Sequence, residues 1–262
     1  MAHARAARWL KLSSNRSLVL DILHYDQRMP QCAHDRRFDL GQTDELRRSA
    51  GQRVSWPAIF MKAYGLLSVQ RPVLRQCFFR WPWRHLYQHP ESVGTIVVSR
   101  RHADEDRLCW GRISRPESYS LASLQQRLDR FKNEPVETMF RRQLQISRLP
   151  TPLRRLLWWT TMNLSGRKRA SRLGTFGMST LAGQGAEIQQ PPSVLASTLT
   201  YGPMDENGRA RVTIVYDHRI MDGSTVASCL VDLEATIHGA IRDELRTMKS
   251  APAMNTATAR AA

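Results

Sequence analysis

The chain has 262 residues, 42% of them apolar, which is enough to bury a core and excludes disorder along its whole length. Lysine and arginine number 39 against 23 acidic residues, giving a formal net charge of +16 and a field that attracts polyanions. A mean hydropathy of -0.44 and the lack of any long apolar run exclude a membrane span, and four scattered cysteines without a CxxC pair exclude a zinc knuckle or a disulfide scaffold.

Residues 1–12 read as a basic arm. They carry no apolar segment of the kind a secretory signal needs, so a cytoplasmic location is expected. Ser13 or Ser14 then caps a helix bearing Leu18, Val19, Ile22 and Leu23, which must end before Pro30. Cys32 to Leu40 reads as a strand, and Thr43-Asp44-Glu45 opens a short helix that Gly51 closes. Ser55-Trp56-Pro57 starts a mostly apolar helix through Gln70, because proline's missing N–H costs nothing in a first turn.

Val93 to Ser99 and Arg107 to Ile113 read as strands joined by Asp104-Glu105-Asp106, and Ser120 caps a helix with Leu121, Leu124, Leu128 and Phe131. From Gly174 the chain turns to β character, over Thr175 to Leu181 and Ser193 to Tyr201. A hairpin follows at Asp205-Glu206-Asn207-Gly208, then a strand from Arg211 to Asp217. The last helix, Ser224 to Leu245, sets Val226, Leu230, Leu233, Ile237 and Ile241 along one stripe. Residues 13–249 therefore form one α/β unit with a mixed sheet, and 250–262, rich in alanine and threonine, read as a disordered tail.

The sharpest chemical signal is Tyr216-Asp217-His218-Arg219-Ile220-Met221-Asp222-Gly223, placed where a strand ends and a helix begins. A histidine there is held rigidly yet reaches a cleft, and a neutral imidazole accepts a proton near physiological pH. As a bare pattern HxxxDG is a weak signal, and its flanks supply the context.

The run from Thr213 to Ile237 resembles the C-terminal segment of the 2-oxoacid dehydrogenase acyltransferase family, where a strand enters a DHRxxDG motif and an amphipathic helix leaves it. Gly174-Thr175-Phe176-Gly177-Met178-Ser179 is similar to that family's GTFTIS segment. Arg71-Pro72-Val73-Leu74-Arg75 and Arg16 also match family positions in chain order. The resemblance implies a chloramphenicol acetyltransferase-like two-layer sandwich, a mixed sheet with helices packed on it. It further implies a homotrimer whose active sites lie between subunits.

For the site, the resemblance implies His218 as general base and a Ser179 hydroxyl donating to the tetrahedral oxyanion. Asp222 holds the loop through an ion pair with Arg16, and Gly223 supports the turn. The co-substrate it implies is a coenzyme A thioester, with no covalent cofactor and no metal. The chain shows no lipoyl domain and no partner-binding segment, so a free-standing thioester-dependent acyltransferase is the expectation. The alternatives are a non-catalytic trimeric relative and a basic membrane-surface adaptor.

Val136 to Arg172 departs from the family pattern: nine basic residues interleave with apolar ones, and Glu137 is the only acid. Two readings stand for this segment: a helix packed on the core with snorkelling arginines, or an interfacial helix meeting anionic lipid. Arg154, Arg155, Trp158, Trp159, Arg167 and Lys168 are its candidate contacts to coenzyme A or lipid. Nucleic acid has the least support, since no recognition motif accompanies the charge.

Overall fold

Ser13 caps the first helix, its hydroxyl accepting from the Arg16 N–H at 3.2 Å. The computed structural model describes residues 12–250 together with residues 7 and 9, so the expected basic arm lies almost wholly outside the described residues, as does the expected tail from residue 251. The elements in order are α1 (Ser14–Asp26), β1 (Gln31–Asp39), α2 (Gly41–Ser49), α3 (Trp56–Gln70), β2 (Gln76–Phe79), β3 (His85–Gln88), β4 (Val93–His102) and β5 (Glu105–Ser114). Then come α4 (Leu121–Asn133), α5 (Val136–Met139), α6 (Arg141–Ser147), α7 (Thr151–Asn163), α8 (Gly166–Leu173), β6 (Phe176–Ser179), β7 (Ser197–Tyr201), β8 (Arg209–Asp217), α9 (Gly223–Thr236) and α10 (Arg242–Ser250).

Six strands form one mixed sheet in the order β1-β8-β7-β6-β4-β5, with β4, β6 and β7 parallel and the other pairings antiparallel. This is the mixed sheet with packed helices expected from the sequence. Period-two alternation divides its faces. Phe176, Met178, Leu199, Ile214 and Tyr216 point into the core against α3 and α9. α3 is mostly apolar because most of it is enclosed: Ile59, Phe60, Ala63, Tyr64 and Leu67 are fully buried. The Tyr64 hydroxyl, which must find a partner at that depth, donates to Ser197 Oγ at 2.8 Å.

The opposite face carries Thr95, Val97, Gly177, Ser179 and Thr198. It meets α1, α6 and α7 across a cavity of about 520 Å³. The basic segment thus folds into four short helices, α5 to α8, that roof the second face. The small hairpin β2–β3, absent from the sequence reading, leans on α8. Gly166 allows the approach, because a Cβ there would meet the Tyr87 ring at 2.3 Å.

Candidate active site

His218 is the first residue beyond β8, and the turn that presents it is anchored from below. Asp217 is fully buried and accepts from the Arg219 backbone N–H at 3.1 Å, from Nε at 2.8 Å and from Nη2 at 2.6 Å. A buried carboxylate needs such pairing to stay ionised. The His218 N–H donates to the Pro30 carbonyl at 2.9 Å, pinning the strand end to the start of β1.

The imidazole itself is 46% exposed and open to a ligand. Its Nδ1 lies 3.5 Å from Asp222 Oδ1. Asp222 stands in the N-cap position of α9, yet its side chain makes no capping hydrogen bond and faces the imidazole instead. Gly223 opens the helix in a tight spot, since a Cβ there would lie 3.0 Å from His34 Nε2.

Tyr216 packs between two imidazoles, its ring centroid 5.5 Å from that of His34 and 5.7 Å from that of His218. Its hydroxyl is buried beside the Cys32 thiol, and burial above all, with that thiol, raises its pKa. Tyr216 and His34 therefore belong to the surroundings of His218. Sequence reading assigned them no role, because a tyrosine and a histidine at alternating strand positions look like ordinary sheet residues.

The expected ion pair between Arg16 and Asp222 is not formed within the chain. Arg16 lies on the solvent side of α1, its side chain without a partner among the described residues, and the carboxylate of Asp222 sits beside His218.

Ser179 ends β6 and points into the cavity on the second face of the sheet, where its hydroxyl makes no hydrogen bond among the described residues. It stands level with Thr200, which pairs with Thr213, five residues before His218. At a rise of about 3.4 Å per residue, Ser179 and His218 are separated by roughly 17 Å along the strands. Ser179 stands level with the middle of β8 and His218 beyond its end, and one chain does not bring them together.

The remaining candidates divide by burial. Arg154 is buried, its Nε 2.7 Å from Asp21 Oδ2 and its Nη1 donating to the Leu149 carbonyl at 2.6 Å. Its head group is thus committed inside the fold rather than offered to lipid or coenzyme A. Arg155 reaches the same carboxylate at 3.1 Å. Trp158 stacks on Tyr25 and lines the cavity, while Trp159 is exposed and meets Trp81 at 6.3 Å. Arg167 and Lys168 are exposed at the start of α8.

Their neighbour Arg169, the third of the same basic run, is the buried one. It donates to the carbonyls of Phe78 and Val194 at 2.9 and 3.1 Å, tying α8 to the hairpin and to the loop before β7. Three consecutive basic residues carry no mark of which one turns inward. Among the described residues, no cluster of three or more histidine, cysteine or acidic side chains is placed to hold a metal, and no helix is long and apolar enough to cross a membrane.

No protein-family model and no curated protein sequence matches the chain. Solved structures do. A truncated catalytic core of the 2-oxoacid dehydrogenase multienzyme complex from Thermoplasma acidophilum superposes with a TM-score of 0.66 at 15% identity, over 89% of this chain and 99% of that one. A dihydrolipoamide acetyltransferase from Azotobacter vinelandii, studied for the catalytic role of a serine, a histidine and an asparagine, gives 0.64 at 14% identity, over 92% and 94%. The cubic core of a pyruvate dehydrogenase multienzyme complex gives the same values. The fold is that of these acyltransferase cores. At such identities the likeness establishes the fold alone, and it is the chloramphenicol acetyltransferase-like sandwich that the sequence led us to expect.

Proposed function

We propose that the protein is an acyltransferase that moves an acyl group directly from a thioester donor, a coenzyme A thioester, to a thiol, hydroxyl or amine acceptor. The observation that carries this reading is the half-exposed His218 ring, whose Nδ1 faces a carboxylate and whose Nε2 is left to act as base. The Azotobacter enzyme supports it, since its catalytic histidine and asparagine stand four positions apart, as His218 and Asp222 do here.

In the proposed reaction, His218 Nε2 takes the proton of the acceptor as its heteroatom attacks the thioester carbon. The carbonyl becomes a tetrahedral oxyanion, and the hydroxyl of Ser179 donates to it. Collapse of the oxyanion re-forms the carbonyl and breaks the carbon–sulfur bond, and the imidazolium returns its proton to the departing thiolate. Asp222, 3.5 Å from Nδ1, orients the imidazole so that Nε2 faces the acceptor.

The separation of Ser179 from His218, roughly 17 Å along the strands, means that the serine must come from another copy. We therefore place the site between subunits of a homotrimer. Co-expressing His218→Ala and Ser179→Ala chains tests both ideas. Each variant alone should lose turnover, measured as thiol release from an acyl-CoA, by at least about 100-fold. Mixed trimers should regain activity, because some interfaces then pair an intact histidine with an intact serine. No recovery would sink the shared site, and undiminished turnover of His218→Ala would sink the base. A chain that turns over no thioester at all would be the non-catalytic relative.

A peripheral contact with anionic lipid is favoured separately by the outer side of α7, where Leu153, Leu156 and Trp159 are exposed beside Trp81 and Trp83. Leu153→Ser with Leu156→Ser should abolish sedimentation with phosphatidylglycerol vesicles, and unchanged sedimentation would dismiss the contact.

A further inference from the structure

The cavity beneath α7 has a composition that Ser179 alone does not explain. Its floor is the second face of the sheet. Gly177 pairs with Thr95, and Thr95 with Arg112, so one rung runs from β6 to the edge strand β5; Val97 and Trp110 form the next rung, alongside Ser179. The roof is Leu18 and Ile22 of α1, Ile146 of α6, and Leu157 and Trp158 of α7. Leucine, isoleucine and tryptophan side chains turned toward an open space lose the dispersion contacts and the dry surroundings that normally justify their position. About 520 Å³ lies within the range that small organic ligands occupy.

The polar lining is one-sided in charge. Arg112, Arg142 and Arg172 reach this space, and no aspartate or glutamate does. Arg112 donates to the Arg172 carbonyl at 3.0 Å, and Arg172 to Thr161 Oγ1 at 2.7 Å. None of the three is ion-paired with a carboxylate among the described residues. Arg112 and Arg142 are exposed where they line this space and Arg172 is half-buried, so the guanidiniums stand where the apolar cavity meets solvent. Cations gathered beside apolar walls without counter-charges are what an amphipathic anion requires.

We propose that this cavity binds a fatty-chain anion, its aliphatic chain between Ile22, Ile146 and Leu157 and its charged head at Arg112, Arg142 and Arg172. Because Ser179 shares the cavity floor, the inference rests on the acyl-transfer reading for its consequence: the substrate carried there is lipidic. The binding itself does not depend on that reading. A carboxylate head would mark a free fatty acid and a phosphate head a coenzyme A ester, and both chemistries suit a guanidinium cluster.

Trp110 and Trp158 line the cavity and provide the readout. Intrinsic fluorescence of the purified full chain is titrated with decanoic acid, decanoyl-CoA and acyl-free coenzyme A, with circular dichroism confirming the fold of each variant. At least one decanoyl ligand should saturate at least tenfold more tightly than coenzyme A, and the tighter of the two identifies the head group. Ile22→Phe and Leu157→Phe, tested separately, should each weaken it at least tenfold by filling the space. Arg112→Met with Arg142→Met should weaken it and flatten its salt dependence. Binding is read without an acceptor and without turnover, so a failed acyl-transfer assay and a failed binding assay are told apart. Equal affinity for coenzyme A with and without the chain, or no saturable binding of either decanoyl ligand, would overturn the proposal, as would full affinity in both folded phenylalanine variants.

Discussion

Arg154 Nε lies 2.7 Å from Asp21 Oδ2 with both side chains almost fully enclosed, and Arg155 takes the other carboxylate oxygen at 3.1 Å. One carboxylate on α1 thus holds two guanidiniums on α7, and this contact keeps the roof over the cavity. Removing the carboxylate leaves Arg154 buried without its partner, which costs roughly 3–5 kcal/mol. Asp21→Asn should lose about that much in urea unfolding, and Arg154→Met less, because Arg155 still faces the carboxylate. The Asp21→Leu, Arg154→Leu double variant should recover a good part, since apolar pairs of similar volume often replace buried ion pairs without loss. If the single variants unfold at the wild-type midpoint, the pair does not hold α1 to α7.

What the sequence made legible, and what it hid, follows from the same contrast. The apolar stripe of α9, the mostly apolar α3 and the alternating strands around His218 were readable because burial imposes periods of 3.6 and 2 on the residues themselves. The candidate base was readable because its motif is local: Asp217, His218, Asp222 and Gly223 act within one turn. The fate of Arg154 was not, because Asp21 lies 133 positions away and nothing in either neighbourhood marks the partnership. The same holds for the hairpin β2–β3, whose four-residue strands are too short to show alternation and depend on Arg169 reaching back to Phe78. That Ser179 and His218 lie far apart within one chain required the register of β6, β7 and β8, which no single segment encodes.

His89 offers a test by pH. It is buried, its Nδ1 has no partner, and burial, with the charges of Arg169 and Arg75, lowers its pKa from 6.5 to about 4. Between those values the unfolded chain binds the proton and the folded chain does not, so stability falls as pH drops from about 6.5 toward about 4 and is unaffected by this group above that window. The full loss is on the order of 3 kcal/mol. Urea midpoints at pH 7.5, 5.5 and 4.5 should show His89→Phe falling less steeply than wild type on acidification. Parallel curves for the two proteins would mean that His89 does not titrate this way.

Gly174 opens the segment that leads to Ser179, and its backbone sits at φ 97° and ψ 178°, a region essentially reserved for glycine. Space is lacking as well: a Cβ would fall 2.2 Å from Thr95 Oγ1 and 2.9 Å from the Val93 carbonyl oxygen. Those two atoms are engaged, Thr95 Oγ1 donating to the Leu173 carbonyl at 2.7 Å and the Val93 carbonyl accepting from the Thr175 N–H at 2.8 Å. Gly174→Ala therefore meets a backbone penalty of about 1–3 kcal/mol and a crowding penalty of similar size. Its unfolding free energy should drop by roughly 2–5 kcal/mol, read from chemical denaturation. Adding Thr95→Ala removes the nearest obstacle but leaves the dihedral, so the double variant should recover only part of the loss. Full recovery would assign the whole effect to crowding, and no loss in the single variant would mean that the entry to β6 does not need glycine. Because β6 pairs with β4 within two residues of this point, whatever shift the chain adopts to house the methyl group passes directly to Ser179. The folded fraction of the single variant should accordingly turn over an acyl thioester more slowly, and wild-type turnover in that fraction would detach Ser179 from the chemistry.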